Sequence, residues 1–254
     1  MSVIIPSQIR VGGVSCRNID VSYDNKPLFE DFSLDFEEGR CTCLLGPSGC
    51  GKSTLIRIIS GAKNISYQGK VSFNGDDHRT ESVAWMSQKD LLLPWMTVID
   101  NIMLGAKLRG ELSQELHGRA QKMLSDAGLA DYGKKYPSVL SGGMRQRVAL
   151  LRTLMEKRPV ILMDEPFSAL DTLTRLKLQD LAAGLTRGKT VILVTHDPME
   201  ALRLGDRIVV LGGSPAAIVA DIRPGGSVPR ESGGAVLACE YPHLLKTLMG
   251  EAVV

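Results

Sequence analysis

Gly46-Pro47-Ser48-Gly49-Cys50-Gly51-Lys52-Ser53, followed by Thr54 and the apolar run Leu55-Ile56-Arg57-Ile58-Ile59, is the stretch on which the fold turns. Its spacing is G-x-x-x-x-G-K-[ST]. It stands between a short strand expected over residues 40–45 and a helix expected over 53–60. Glycines let successive backbone N–H groups converge on phosphate oxygens, and the helix N-terminus adds partial positive charge. At this spacing Lys52 reaches the terminal phosphates of a nucleoside triphosphate, and the Ser53 hydroxyl is placed to ligate Mg²⁺. Cys50 lies inside the cradle, beside Lys52 and a helix N-terminus, a setting that lowers a thiol pKa. The plainer reading is a small residue at a variable position.

Working outward, residues 14–23 and 28–36 alternate loosely around the turn Asp24-Asn25-Lys26-Pro27, which predicts antiparallel β structure ahead of the cradle. Cys41 and Cys43 share one face of the strand that follows and read as small core residues. Downstream, residues 70–73 and 83–86 read as strands, with Asn74-Gly75 as a hairpin signal. The pattern then turns helical. Thr97 caps a helix bearing Ile99, Ile102, Met103 and Ala106 on one face. Further helices are expected over 114–127 and 142–155, the latter with Met144, Val148, Leu151 and Met155 aligned.

β/α alternation resumes with strands over 160–163, 190–195 and 208–211. A helix between them carries Leu178, Leu181, Ala182 and Leu185. Asp197-Pro198-Met199-Glu200 reads as a helix start: cap, Pro at the first position, acid at the third. Continuous apolar runs separated by helices imply a parallel sheet covered on both faces. The expectation is therefore one α/β domain over 1–254, with its core in residues 1–90 and 156–215 and a helical insert over 91–155. The tail, 213–254, is weakly patterned, with a strand expected over 216–219 and a short helix over 243–249.

Composition narrows the class. The 254 residues are 44% hydrophobic and 23% charged, enough for a large core. Thirty basic residues against 28 acidic ones leave a net charge of +2, which offers no broad face for nucleic acid. The five cysteines are odd in number and form no C-x-x-C pair, so free thiols in a reducing compartment are expected. Residues 1–13 lack the pattern of a signal peptide, and no apolar run approaches the ~20 residues needed to span a bilayer.

Val160-Ile161-Leu162-Met163-Asp164-Glu165 is an apolar strand ending in two carboxylates. Strand ends of a parallel sheet converge on the ligand crevice. Asp164 is then placed to hold Mg²⁺ through water, and Glu165, pointing the other way, to polarise an attacking water. His196 ends the next apolar strand and is expected at the γ-phosphate. Ser141, in Leu140-Ser141-Gly142-Gly143, stands just before a helix and forms a second N-terminal anion site.

Cradle, Gln88, Leu140-Ser141-Gly142-Gly143, Asp164-Glu165, Ser168-Ala169-Leu170-Asp171 and His196 occur in one order and spacing, and over about residues 14–215 the chain resembles the ATP-binding cassette (ABC) ATPases. The resemblance implies a P-loop NTPase core with an antiparallel β subdomain and an inserted α-helical subdomain. It implies ATP and Mg²⁺ as cofactors and a head-to-tail dimer of two copies burying two ATP. Each ATP would meet Tyr23 on adenine, the cradle residues Gly46 to Thr54, and Gln88, Asp164, Glu165 and His196 of one copy. Ser141, Gly142 and Gly143 of the other copy would close on the γ-phosphate. Ser53, Gln88 and Asp164 would hold the metal; Lys52, Gln88, Glu165 and His196 would be catalytic; Asp171 would connect the two sites. Met144 stands where most members carry Gln.

The segment from Gln88 to Ile102, with Leu93-Pro94-Trp95, is similar to the nitrate/sulfonate/taurine group of bacterial importers. Met144 and the run from Leu154 to Pro159 are also similar to ATPases proposed for uptake of a thiamine pyrimidine precursor. Either resemblance implies an integral membrane permease as partner and a periplasmic solute-binding protein as an indirect one. It implies a place on the cytoplasmic face of the inner membrane. The apolar stretch from Leu91 to Met96 would form a groove for a short permease helix. The rival is a cassette ATPase without transport, in DNA repair or iron–sulfur assembly.

Overall fold

The computed structural model describes residues 13–74 and 83–250. Strand β1 (Gly13–Tyr23) turns directly into β2 (Lys26–Glu37). Asp24 and Asn25 take φ of 50° and 60°, the pair of positive values that a two-residue hairpin turn matching strand twist requires. Gly39, at φ 68°, then leads into β3 (Cys41–Leu45), the cradle, and helix α1 (Lys52–Ile59).

Strand β4 (Gln68–Phe73) returns to the free edge of β1, giving a three-stranded antiparallel sheet in the order β2-β1-β4. The strands on either side of the hairpin signal Asn74-Gly75 do not pair with each other: β5 (Val83–Met86) joins the other sheet. Asn74 does adopt φ 50°, and its N–H bonds the Gly13 carbonyl at 2.8 Å. An Asn at positive φ marks a turn but does not choose the next strand's partner; Gly75 lies outside the described residues.

The second sheet runs β5-β6-β7-β3-β8-β9. It contains β6 (Val160–Asp164), β7 (Thr190–Val194), β8 (Arg207–Gly212) and β9 (Ala217–Ile222). The first five strands are parallel and β9 is antiparallel to β8. Every residue of β6 and β7 is buried, as two-faced coverage of a parallel sheet demands. Alternate residues sort into two cores. Cys43, Leu45, Ile161, Met163, Leu193 and Val210 join one with the helices. Leu44, Leu162, Ile192, Val194 and Val209 join the other, with Leu55, Ile56 and Ile59 of α1 and Phe29 of the small sheet. α1 therefore shares a core with both sheets, which fixes the helix that opens the cradle.

Four α-helices separate β5 from β6: α2 (Val98–Ile102), α3 (Leu104–Leu108), α4 (Gln114–Asp126) and α5 (Gly142–Met155). Thr97 caps α2 as expected, accepting from Asp100 N. The continuous helix expected there is broken at Met103, although Ile102, Met103 and Ala106 are all buried. Past the break, Gly105 lies so close to the Glu156 carboxylate that a Cβ there would require that side chain to shift. The Asn101 side chain is fully buried. It accepts from Leu93 N at 2.8 Å and donates to the carbonyls of Leu93, Met96 and Thr97, which locks the 93–97 loop onto α2.

Helices α6 (Thr172–Thr186) and α7 (Pro198–Leu204) flank β7; Asp197 caps α7 as expected, and Asp171 caps α6. The last helix, α8 (Ala235–Leu248), is longer than expected and carries Pro242 inside. Burial of Leu237 and Leu244 in the helical core outweighs the cost of that breaker.

The tail is tied down by Arg230, a buried side chain. Its guanidinium donates to the carbonyls of Leu202, Gly205, Pro224 and Gly225 at 2.5 to 2.8 Å. Arg230→Ala strips four carbonyls of their donor, three of them in buried bonds. The expected cost is about 3 kcal/mol, read as a melting temperature lower by roughly 10 °C.

Candidate functional site

The cradle, Gln88, the Asp164-Glu165 pair and His196 all sit at the carboxyl ends of β3, β5, β6 and β7. These four strands are consecutive in the sheet, so their ends make one crevice. Gly51 takes φ 96° over the Phe29 ring, and Gly46 takes φ 147° against the Leu211 carbonyl, where a Cβ has no space. Gly49, at φ 85°, faces open space. The loop is thus held from below and bare above, as a backbone that approaches phosphate must be.

Lys52 is buried, and its ammonium donates to the carbonyls of Gly46 and Pro47 at 2.7 and 2.8 Å. It reaches back across the mouth of the loop. Cys50 turns inward: its sulfur lies 3.7 Å from Lys52 Nζ, and the residue is buried. That placement shields the thiol. Cys239 is the exposed cysteine among the five.

The two carboxylates part as expected. Asp164 is buried and accepts from Ser53 Oγ at 3.1 Å. Burial pushes the Asp164 carboxyl up from its ordinary value, against the Ser53 hydrogen bond and the Lys52 charge. Hydroxyl and carboxylate are hard oxygen donors suited to Mg²⁺, and a cation beside them restores the charged carboxylate that burial disfavours. Glu165 points toward Gln88 and His196. Its Oε2 accepts from Gln88 Nε2 at 3.1 Å, and its Oε1 lies 3.3 Å from His196 Nδ1. Gln88 is therefore engaged with Glu165, while Ser53 pairs with Asp164.

Glu165 also has φ 51°, a left-handed conformation that costs a non-glycine residue about 1–3 kcal/mol. Bonds on both sides of the residue hold it. Its N–H donates to the Val194 carbonyl at 2.9 Å, and its carbonyl accepts from Gln146 Nε2 and Ser168 Oγ at 3.3 and 3.1 Å. Gln146 is buried on α5, in the helix that Ser141 caps. The sequence reading missed it. The available signal was an amide on a helix stripe shared with Leu150 and Thr153.

Ser141 and Gly142 are exposed at the start of α5, and Ser141 Oγ accepts from Met144 N at 3.3 Å. Gly143 lies against the Ala169 carbonyl, where a Cβ would stand at 3.0 Å. Met144 packs on the helical core. Asp171 caps α6 and is exposed; the Thr174 N–H holds its carboxyl below the usual range. Tyr23 is exposed at the tip of the hairpin whose Phe29 underlies Gly51. A cavity of about 260 Å³ lies at the opposite ends of the strands, between Cys41, Phe167 and Lys189, and no motif residue lines it.

A surface next to Gln88 was only partly foreseen. Within 91–96, Leu92 is buried while Leu91 and Trp95 are exposed, Trp95 by 72%. Nearby, a hollow of about 200 Å³ is lined by Trp85, Leu104, Leu108 and Arg152. Arg152 donates to the carbonyls of Asp90 and Leu91 at 2.7 and 2.8 Å, and Arg145 pairs with Asp90 at 3.1 Å. These bonds tie the segment after Gln88 to α5.

A phosphate-binding loop at a strand end, with a buried Asp beside its Ser and a Glu–Gln–His cluster on the next strands, defines a P-loop ATPase. Residues 29–168 match the ABC transporter family model, and the chain belongs to that family as an ATP-hydrolysing cassette. An ABC transporter ATP-binding protein of Haemophilus influenzae is 43% identical over 242 residues, 94% of this chain and 99% of the relative. An aliphatic sulfonates import ATP-binding protein of Rhodococcus jostii is 41% identical, covering 93% of this chain and 94% of its own length. A taurine import ATP-binding protein of a Jannaschia species is 40% identical, covering 83% and 82%. An ATP-binding cassette solved as a dimer in a post-hydrolysis state, bound to ADP and Pi, superposes with a TM-score of 0.74. It is 31% identical and covers 84% of this chain and 100% of that one.

Proposed function

We propose that this chain is the ATPase subunit of a bacterial importer for small sulfonates such as taurine, working as a head-to-tail pair beneath a separate permease. The observation that carries the reading is the link from Gln88 to the exposed surface around Trp95 and Leu108. One end of this segment touches Glu165 and the other presents apolar side chains to a partner. The sulfonate and taurine relatives support the solute class over the thiamine-precursor alternative, and the dimeric cassette supports the pairing. The permease places the chain on the cytoplasmic face of the inner membrane, with a periplasmic solute-binding protein on the far side. No helix among the described residues is long and apolar enough to cross a membrane.

Within the pair, Lys52 exchanges its bonds to the Gly46 and Pro47 carbonyls for the β- and γ-phosphates. Tyr23 stacks on adenine, and the backbone from Gly46 to Thr54 holds the phosphates. Ser53, Asp164 and Gln88 would hold Mg²⁺, which would supply positive charge against the transferring phosphoryl group. Glu165 accepts the proton of the attacking water, and His196 bonds the γ-phosphate. Ser141, Gly142 and Gly143 of the second copy supply the opposite wall. Asp171, at the head of α6, reports from one site to the other. ATP favours the closed pair and hydrolysis releases it, so closing shifts the permease population.

The permease surface is directly testable. Trp95→Glu or Leu108→Glu puts a charge into an apolar contact and should cut co-purification with the co-expressed permease more than about 10-fold. ATP-driven taurine uptake into proteoliposomes should be lost with it, while the isolated subunit still binds ATP. Wild-type uptake by both variants would reject this surface.

A further inference from the structure

Behind Glu165 and His196 lies a chamber of about 30 Å³, lined by Glu165, Ser168, Arg175, His196, Asp197 and Glu200. Two polar atoms of these residues are buried without a hydrogen-bond partner among the described residues: Arg175 Nε and Glu200 Oε1. A chamber this size admits a water, and an unpartnered N–H donor and an unpartnered carboxyl oxygen on two of its lining residues would give that water two partners. Unsatisfied buried polar atoms are otherwise rare.

The sequence pattern casts Glu200 as the acid of a capping box that bonds back to the Asp197 N–H. The structure does otherwise. Asp197 N donates to Thr195 Oγ1 at 3.0 Å, and Glu200 turns inward, 5% exposed, with its carboxyl bonded by the Thr195 side chain. Arg175, one turn after Asp171, spans the gap from the other side. Its Nη1 donates to Asp197 at 3.2 Å and its Nη2 to the Leu170 carbonyl at 3.0 Å. The head of α6 and the turn that carries His196 therefore meet across this chamber.

We propose that Glu200 and Arg175, bridged by one water in the chamber, form a positioning unit that holds the His196 turn in register with the head of α6. Glu200 touches no nucleotide and acts through His196, so the inference rests on the reading of Glu165 and His196 as the hydrolytic pair. The charged and titratable groups facing Glu200 are Arg175 from α6, Glu165 from the end of β6, His196 and Asp197 from the end of β7, and Cys43 from β3. Burial first, and the Asp197 charge second, push the Glu200 carboxyl up to about 8. Below that pH the group is a neutral acid that can both donate and accept. Above it a negative charge appears between Asp197 and Glu165, competes for Arg175 and disrupts the turn.

The test is the pH dependence of ATP hydrolysis. Wild-type kcat should fall above pH about 8. Glu200→Gln mimics the neutral acid. It should stay within about 2-fold of wild type at neutral pH and lack the alkaline fall. Glu200→Leu leaves Arg175 and Thr195 without their partner and should lower kcat about 10-fold with KM for ATP unchanged. Glu200→Leu turning over at the wild-type rate, or Glu200→Gln sharing the alkaline fall, would overturn the inference. Should Glu200→Leu melt without cooperativity, the Glu200→Gln profile alone decides. Full turnover by Glu165→Gln removes instead the reading of the hydrolytic pair.

Discussion

Glu165→Gln is expected to bind ATP with near wild-type affinity and to hydrolyse it about 10²–10⁴-fold more slowly. The expectation comes from what the substitution leaves in place. The amide has the size of the carboxylate. It can turn its oxygen to Gln88 Nε2 and its nitrogen to His196 Nδ1, the two groups that now flank the carboxylate at 3.1 and 3.3 Å. The strained backbone at φ 51° is held by bonds to Val194, Gln146 and Ser168 that do not involve the side chain. Cradle, Ser53 and Asp164 are untouched. Only the proton acceptor is lost. With Mg²⁺ and ATP the variant should therefore accumulate as a dimer of the 27.5 kDa chain, visible by light scattering, and single-turnover hydrolysis should slow by the stated factor. Normal turnover would mean that another group takes the proton.

The parts of the site that were legible in the sequence share one property: short-range spacing determines them. The cradle needs a strand, a bare loop and a helix, and Gly46, Gly51, Lys52 and Ser53 encode all three within eight residues. Asp164, Glu165 and His196 were readable because an apolar run ends at each, and a parallel sheet brings such ends together. Asp197 announced a helix start and caps α7, whereas the cap that Asp171 supplies to α6 was not read from the sequence. What stayed hidden depends on contacts between distant segments. Asn74 showed a turn but not that β5 would leave for another sheet. Glu200 carries the pattern of a solvated capping acid, and its burial comes from tertiary packing around α7. Arg152 holds two carbonyls 61 and 62 positions away in sequence, and no local pattern reports such a bond. The weak pattern of the tail showed a helix only over 243–249, whereas α8 starts at Ala235 and runs through Pro242.

The composite site itself gives the last expectation, which requires two dead proteins to make a live one. In the proposed pair, each ATP lies between the cradle of one copy and the Ser141 end of the other. Lys52→Ala removes the cation that reaches the phosphates and abolishes turnover in its own cradle. Ser141→Arg places a bulky side chain at an exposed helix start and should block the neighbour's site without disturbing the fold. Each variant alone should be inactive. Mixed in equal amounts, half the dimers pair one variant with the other. In those, the intact cradle of the Ser141→Arg copy meets the intact Ser141 of the Lys52→Ala copy, and the second site carries both lesions. One site in two is then whole, so about a quarter of wild-type sites return if the sites fire independently. A site built from one copy alone predicts no recovery at any ratio, because each chain then carries its own lesion. Recovery on mixing, measured as phosphate release with Mg²⁺ and saturating ATP, would therefore locate Ser141 and Lys52 on opposite sides of the same nucleotide; its absence while both variants still dimerise would reject the shared site.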